Sequence, residues 1–209
     1  MYVPAHFNED RPEILAEAIR RAGLATLVTV GADGLVASHV PMLLDPEPAP
    51  HGTLLGHIAR ANPQWRDPAA RTDALAIFTG PDAYITPSWY PAKQAHGRVV
   101  PTWNYVAIHA YGPVTFFDDP ARLLDIVRRL TEREEAPRAA PWAVSDAPAA
   151  FVEGMLKAIV GFAMPIARLE GKWKMSQNRD AADRAGVAKG LTEDGRDDVA
   201  TLIPRAAPG

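Results

Sequence analysis

The residues best equipped for chemistry lie between Tyr84 and Val114, YITPSWYPAKQAHGRVVPTWNYVAIHAYGPV. This stretch holds two of the five Trp and four of the five Tyr, with His96 and His109 among them. Its rings and polar groups alternate with prolines rather than with aliphatic core residues. A structural strand has no use for that mixture. A site that grips a flat molecule with polar edges does, because rings stack on the faces while amides and hydroxyls meet the rim. Two other places carry suitable groups. In Ser38-His39-Val40-Pro41 the proline cannot donate to a strand ladder, so an edge or a kink leaves backbone groups free. In Arg60-Ala61-Asn62-Pro63 a strand feeds a helical turn, with Asn62 as the N-cap ahead of Pro63. Spare N–H groups and a guanidinium converge at such a junction, and both suit a phosphate.

Other chemistries lack their residues. With no cysteine in 209 residues there is no disulfide framework, thiolate metal site or thiol nucleophile, which fits a reducing compartment. The chain has no Gly-x-Gly-x-x-Gly after a strand, no phosphate-binding P-loop and no Gly-x-Ser-x-Gly elbow. The six histidines show no His-Glu-x-x-His spacing. His39, His57 and His109 each fall on a predicted strand, where hydrogen-bonded histidines are expected rather than a metal triad. A net charge of −3 opposes a nucleic-acid surface, which is basic. Arg168–Lys189 is the local exception, with six basic and three acidic residues. The beginning, MYVPAHFNED, has neither the charged nor the apolar part of a signal peptide. No apolar run reaches the ~18 residues of a membrane helix. The expectation is a cytoplasmic protein that does not enter a membrane.

The elements that must position these groups read as many short strands and turns, in keeping with 20 prolines. Residues 9–23 predict a helix with Pro12 in its first turn and Gly23 just past its end. Residues 24–45 predict two strands around an Ala32-Asp33-Gly34 turn, and 53–58 a third. Strands at 74–80 and 83–86 are separated by a Gly80-Pro81 turn. Lys93–Arg98 reads as a polar loop and Val99–Phe117 as one long strand. A helix starts at Pro120 behind Asp118 or Asp119, and another, capped by Ser145 or Asp146, runs through Phe151, Met155 and Ile159. A strand at 160–169 and a helix late in 171–191 close the folded part, leaving 192–209 as a flexible tail. The fold class is α+β: an antiparallel β-barrel with peripheral helices, one domain over 1–191. The barrel's Trp, Tyr, Asn, Ser, His and Arg side chains suit a flat heteroaromatic carrying a phosphate. Flavin mononucleotide (FMN) meets that description, as other nucleotides do.

Longer motifs narrow the choice. The chain carries Met1-Tyr2-Val3-Pro4-Ala5-His6-Phe7, Ser38-His39-Val40-Pro41 and Gly56-His57 followed by Ala59-Arg60-Ala61-Asn62-Pro63. It continues with Pro87-Ser88-Trp89-Tyr90, Val100-Pro101-Thr102-Trp103-Asn104-Tyr105 and Gly171-Lys172-Trp173-Lys174-Met175-Ser176-Gln177-Asn178. In these it resembles the PaiB-type, FMN-binding negative transcriptional regulators over roughly residues 1–191. The resemblance implies a split β-barrel of the pyridoxamine-phosphate-oxidase-like kind and a homodimer with FMN at the subunit interface. By position it places Ser38, His39, Val40 and Pro41 along the flavin ring, and His57, Arg60 and Asn62 near the phosphate. Trp103 and Asn104 would come from the neighbouring subunit, with Lys174, Ser176 and Gln177 closing the site. Two positions depart from the family pattern, which carries an acidic residue near Ala95 and another near Ala163. Three functions follow as alternatives: an FMN-binding transcriptional regulator, a flavin-dependent oxidoreductase with Lys93, His96 or Arg98 meeting substrate, and a regulator acting indirectly through a partner or metabolite.

Overall fold

A computed structural model describes residues 1–48, 50–67 and 73–204. In chain order the elements are β1 (Asn8–Glu9), α1 (Pro12–Arg21), β2 (Ala25–Gly31), β3 (Gly34–Val40), β4 (Met42–Asp45), β5 (Thr53–Ala59) and β6 (Asp73–Ile85). They continue with α2 (Pro91–His96), β7 (Thr102–Pro113), β8 (Thr115–Phe117), α3 (Pro120–Glu135), α4 (Ala149–Leu156), β9 (Ile159–Pro165), β10 (Arg168–Lys174), α5 (Ala181–Glu193) and α6 (Asp197–Ala200). The class is α+β, with antiparallel sheets and helices beside them. Among the described residues no helix is long and apolar enough to cross a membrane.

The chain forms two compact units rather than one continuous block. The larger is built from Pro12–Phe78 and His109–Leu169, the smaller from Met1–Arg11, Thr79–Ile108 and Glu170 onward. In the larger unit the β2–β3 hairpin closes over the Ala32-Asp33 turn, with Thr26 opposite His39 and Leu27 opposite Ser38. The first half of β6 pairs with the other edge of β2. Pro41 ends β3, and the chain changes sheets: β4 pairs with β5, in a four-stranded sheet ordered β4-β5-β9-β8. A residue without an N–H can break a ladder at no loss of its own hydrogen bond, which makes proline a natural switch point. Leu54, Ile58, Val160, Phe162 and Met164 bury the alternate positions of β5 and β9. The close approach here depends on Gly56 and Gly161. A Cβ at Gly56 would meet the Phe162 ring at 2.5 Å, and one at Gly161 the Phe117 ring at 2.4 Å. Helix α3, capped by Asp119 accepting from Arg122 N at 2.8 Å, packs Ile126 and Leu130 on Leu43.

In the smaller unit β1 pairs with β10, and Ala83, Ile85, Tyr90, Val106, Met175, Val187 and Leu191 form the core. Val199 and Ile203 are buried in the same cluster. The expected tail is therefore folded through residue 204, because two aliphatic side chains spaced one helical turn apart fit that core; residues 205–209 lie outside the described part. Other boundaries shift for similar reasons. Gly80-Pro81 does not turn the chain: β6 continues through it for 13 residues, and its buried positions change from even to odd numbers between Phe78 and Ala83. Pro91–His96 is a helix, with Gly97 in the left-handed conformation at its end (φ 67°), rather than part of a loop. The long strand breaks at Val114, and α4 stops at Leu156 so that Ile159 opens β9. Its cap is Pro148; Asp146 instead accepts from Ala143 N at 2.9 Å.

Candidate functional site

Two groups of polar side chains stand out, one in each unit. In the larger unit the turn Pro63–Trp65 begins at Asn62, whose Oδ1 accepts from Gln64 N at 3.0 Å, as the N-cap reading expects. The amide of Asn62 then donates from Nδ2 to Ser38 Oγ at 2.8 Å. Ser38 Oγ donates onward to Gln64 Oε1 at 2.7 Å. Gln64, only 2% exposed, donates from Nε2 to Thr29 Oγ1 at 2.9 Å and to Leu27 O at 3.4 Å. A ring of side chains thus fixes the Ser38 hydroxyl from both sides, on the strand at the end of its sheet. Such closed networks hold their members in one rotamer each. Next to Ser38 on the strand, the exposed His39 shares a 3.0 Å hydrogen bond between Nδ1 and Thr26 Oγ1, its direct cross-strand neighbour. Ser38, His39 and Asn62 are thereby brought together. Val40 is buried and Pro41 half-buried at the sheet change.

Arg60 and His57 sit in other company. Arg60 donates from Nε to Lys157 O at 2.7 Å and from Nη2 to Ile159 O at 3.1 Å. Its Nη1 lies 3.9 Å from Asp118 Oδ2. Two carbonyls therefore orient the guanidinium and leave Nη1 for an anion, in competition with an exposed carboxylate. His57, on β5, faces apolar residues of α3, α4 and the segment between them. Its Nδ1 is buried with no hydrogen-bond partner. Burial holds the imidazole below its ordinary pKa of 6.5, so the ring is neutral at pH 7.

In the smaller unit the two most specific motifs bind each other. Asn104 is fully buried; its Nδ2 donates to Ser176 Oγ at 3.0 Å, and that hydroxyl donates back to Asn104 Oδ1 at 3.3 Å. Ser176 has a positive φ of 62°, a conformation that non-glycine residues keep only where their surroundings enforce it. Gln177 supplies more of that enforcement: its Oε1 accepts from Met175 N at 2.6 Å and its Nε2 donates to Trp173 O at 2.5 Å. Lys174 donates from Nζ to Thr102 Oγ1 and, at 2.7 Å, to Trp103 O. Burial first, then the positive charges of Lys172 and Arg179, hold the Lys174 ammonium below its ordinary pKa. Asn104, Ser176 and Gln177 thus spend their polar groups on the chain itself. What the lock presents outward is Trp103, 55% exposed, edge-to-face with the exposed Tyr84 at 6.0 Å between ring centroids. The two departures from the family pattern sit differently: Ala95 is exposed on α2, and Ala163 lies in β9 opposite Leu55 and Thr115.

Sequence reasoning missed Gln64, Thr29 and Thr102. Gln64 follows an N-cap and a proline, a place where a polar residue is ordinary, and only the fold carries its side chain back to β2. The polar groups of the larger unit fit FMN in kind: a hydroxyl and an imidazole on an edge strand, an amide at the turn after β5 and a guanidinium whose Nη1 faces an exposed carboxylate at 3.9 Å; the smaller unit carries a flat exposed ring.

Comparison with known proteins agrees with that chemistry. The family model described as "Putative FMN-binding domain" matches residues 1–168. "Protease synthase and sporulation protein PAI 2" of Bacillus subtilis is 32% identical, over 91% of this chain and 89% of its own. An uncharacterized Aspergillus fumigatus protein is 36% identical, over 91% of this chain and 90% of its own. Among solved structures, the FAD and heme binding protein of Mycobacterium smegmatis shares the fold with a TM-score of 0.57 at 16% identity, covering 88% of this chain and 80% of that one. The chain belongs to the FMN-binding domain family and is of the PaiB type.

Proposed function

We propose that the chain is an FMN-dependent negative regulator that works as a cytoplasmic homodimer, with each flavin held between subunits. The carrying observation is Trp103. It is a large ring left 55% exposed on a strand whose alternate positions are buried, while Lys174 and the Asn104–Ser176 pair fix the backbone around it. Exposed aromatic groups held rigidly are what binding surfaces use. In this reading Trp103 of one subunit meets the flavin of the other. Ser38, His39, Val40 and Pro41 border its ring, and Arg60 Nη1 with Asn62 serves its phosphate. Asn104, Ser176, Gln177 and Lys174 act by holding Trp103 in place rather than by touching the ligand. FMN, when bound, supplies one- and two-electron redox chemistry.

Regulation is assigned to an indirect route, through a partner or metabolite. The name of the Bacillus relative, which joins protease synthesis and sporulation, supports the regulatory role. The net charge of −3 supports indirect action, since DNA binding draws on clustered cations. The test is the visible spectrum of the purified protein, followed by FMN titration and light scattering. The expected outcome is saturable flavin binding by a dimer and release of flavin on dilution below the dimer's dissociation constant. A demonstrated monomer that keeps FMN overturns the shared site, sequence-specific retention of DNA at physiological salt overturns the indirect route, and steady oxidation of a reduced nicotinamide by the FMN-loaded protein moves the assignment to an oxidoreductase.

A further inference from the structure

Cations gather where β10 ends and α5 begins, within the smaller unit. Lys172 and Lys174 are two positions apart on β10 and so share one face of the strand. The turn that follows is closed by Arg179 N donating to Ser176 O at 3.0 Å, which brings Arg179 back beside the strand end. Lys172 and Arg179 both press on the Lys174 ammonium, adding to burial in holding it below its ordinary pKa. Among the described residues none of the three cations is ion-paired. The neighbouring acids are committed elsewhere. Glu170, next on the same strand face, lies 2.5 Å from the Met1 amine. Asp180 accepts from Asp183 N at 2.8 Å, and the buried Asp183 accepts from Ala92 N at 3.1 Å. A lone surface cation is content in water, but Lys172 is buried, and a buried charge ordinarily has a partner of opposite sign. Its ammonium meets only Tyr2 O at 3.1 Å and, at 5.5 and 5.2 Å, the rings of Tyr2 and Tyr105. Lys174 spends two of its three N–H donors, on Thr102 Oγ1 and Trp103 O. Arg179 rests 4.5 Å over the Tyr90 ring, a contact that does not use its fork of donors.

We infer that Lys174 and Arg179, backed by the charge of Lys172, form a binding site for the phosphate group of a small phosphorylated molecule. An anion relieves the repulsion among the three cations, and a phosphate dianion does so best. Its oxygens accept two N–H bonds at once from a guanidinium and a third from the remaining ammonium hydrogen of Lys174. Trp103, whose carbonyl accepts from Lys174, sets an exposed ring beside the cations, so a phosphate joined to a flat ring gains a second contact. The site does not depend on the flavin reading. Its phosphate can be that of FMN or that of a separate metabolite, and the two sources give different results below.

The test uses the full chain, free of flavin, with ¹³C-labelled lysine. Inorganic phosphate is titrated at constant ionic strength while the Lys174 Cε signal is followed. A saturable shift is expected, and with phosphate bound the Lys174 ammonium should titrate at higher pH than without it, because a neighbouring anion favours the charged form. Arg179→Met should weaken phosphate about tenfold. Lys189→Met, which removes an exposed lysine 3.7 Å from Glu193, should change the affinity by less than about twofold. Should Arg179→Met not fold, the phosphate-linked rise in the Lys174 titration decides alone. FMN displacing phosphate where riboflavin does not would support the site and make the flavin's own phosphate its occupant, in place of Arg60. Equal phosphate affinity with and without bound FMN would support it as the site of a second phosphorylated molecule. Three results overturn the inference: no saturable shift, the same shift with chloride in place of phosphate, or equal losses in Arg179→Met and Lys189→Met. A protein that binds phosphate in this way but no flavin would refute the flavin reading and leave the anion site standing.

Discussion

Replacing Gln64 with Met tests whether the Asn62–Ser38–Gln64–Thr29 network is built as described. The substitution keeps length and volume while removing both polar atoms of the amide. Gln64 is 2% exposed, as is Thr29, so water cannot replace what is lost. Two short bonds disappear, from Ser38 Oγ at 2.7 Å and to Thr29 Oγ1 at 2.9 Å; the contact to Leu27 O at 3.4 Å is too long to count for much. Ser38 keeps Asn62 and loses about 1 kcal/mol, whereas the abandoned, buried Thr29 hydroxyl costs about 1–3 kcal/mol, giving ~2–4 kcal/mol in total. Urea denaturation of the apo protein by circular dichroism measures it. The sharper measurement is the cycle with Thr29→Val. Removing the hydroxyl costs stability in the wild type, but in the Gln64→Met background it removes an unpaired group and should recover roughly 1–2 kcal/mol. A cost for Gln64→Met below about 1 kcal/mol, or a Thr29→Val effect equal in both backgrounds, would refute the network. FMN affinity should fall in Gln64→Met as well, through the freed Ser38 hydroxyl.

Burial lowers the His57 pKa, so between its folded value and the ordinary 6.5 the unfolded chain binds the extra proton. Stability from this group is complete above pH 6.5 and declines as pH falls, with a slope of at most ~1.4 kcal/mol per pH unit; His57→Phe should flatten the dependence between pH 7 and 5, and an unchanged profile would remove His57 as its source. Ala at Gly190 would place a Cβ 2.3 Å from the Trp89 ring and should destabilise by about 1–3 kcal/mol. Ala at Gly154, inside α4 with nothing within 4 Å of the new carbon, should stabilise by roughly 0.5–1 kcal/mol; thermal melts that rank the two the other way contradict the packing. Trp103→Ala, at an exposed position, should change the stability of the separated subunit by less than about 0.5 kcal/mol yet weaken dimerisation at least tenfold, or ~1.4 kcal/mol, as read by analytical ultracentrifugation.

The local chemistry of the chain settled a good deal. Asn62 before Pro63 dictated a capped turn, Asp-Gly after a Val/Thr-rich run dictated the β2–β3 hairpin, and Pro41 dictated an interruption of the ladder. Those are choices made by a few neighbouring residues, through fixed φ values, missing N–H groups and side chains that reach their own backbone. The motifs around Trp103 and Lys174 marked the family for the same reason: their order along the chain is itself the signal. What the interruption at Pro41 accomplishes, a change from one sheet to the other, depends on β5 arriving from further along the chain to pair with β4, Met42 opposite Gly56 and Asp45 opposite Thr53. The family resemblance implied a place in the site for Asn104, Ser176 and Gln177, but only tertiary contacts across 72 residues reveal that Asn104 and Ser176 satisfy each other. The role of Gln64 was equally invisible, since its partners lie 26 to 37 residues back along the chain. The burial of Val199 and Ile203 also came from the fold, because a short apolar pair reads as a tail until a distant core has room for it. Residue types and spacing fix which groups are available; which of them are left over for a ligand is decided by long-range pairing, which consumes the rest.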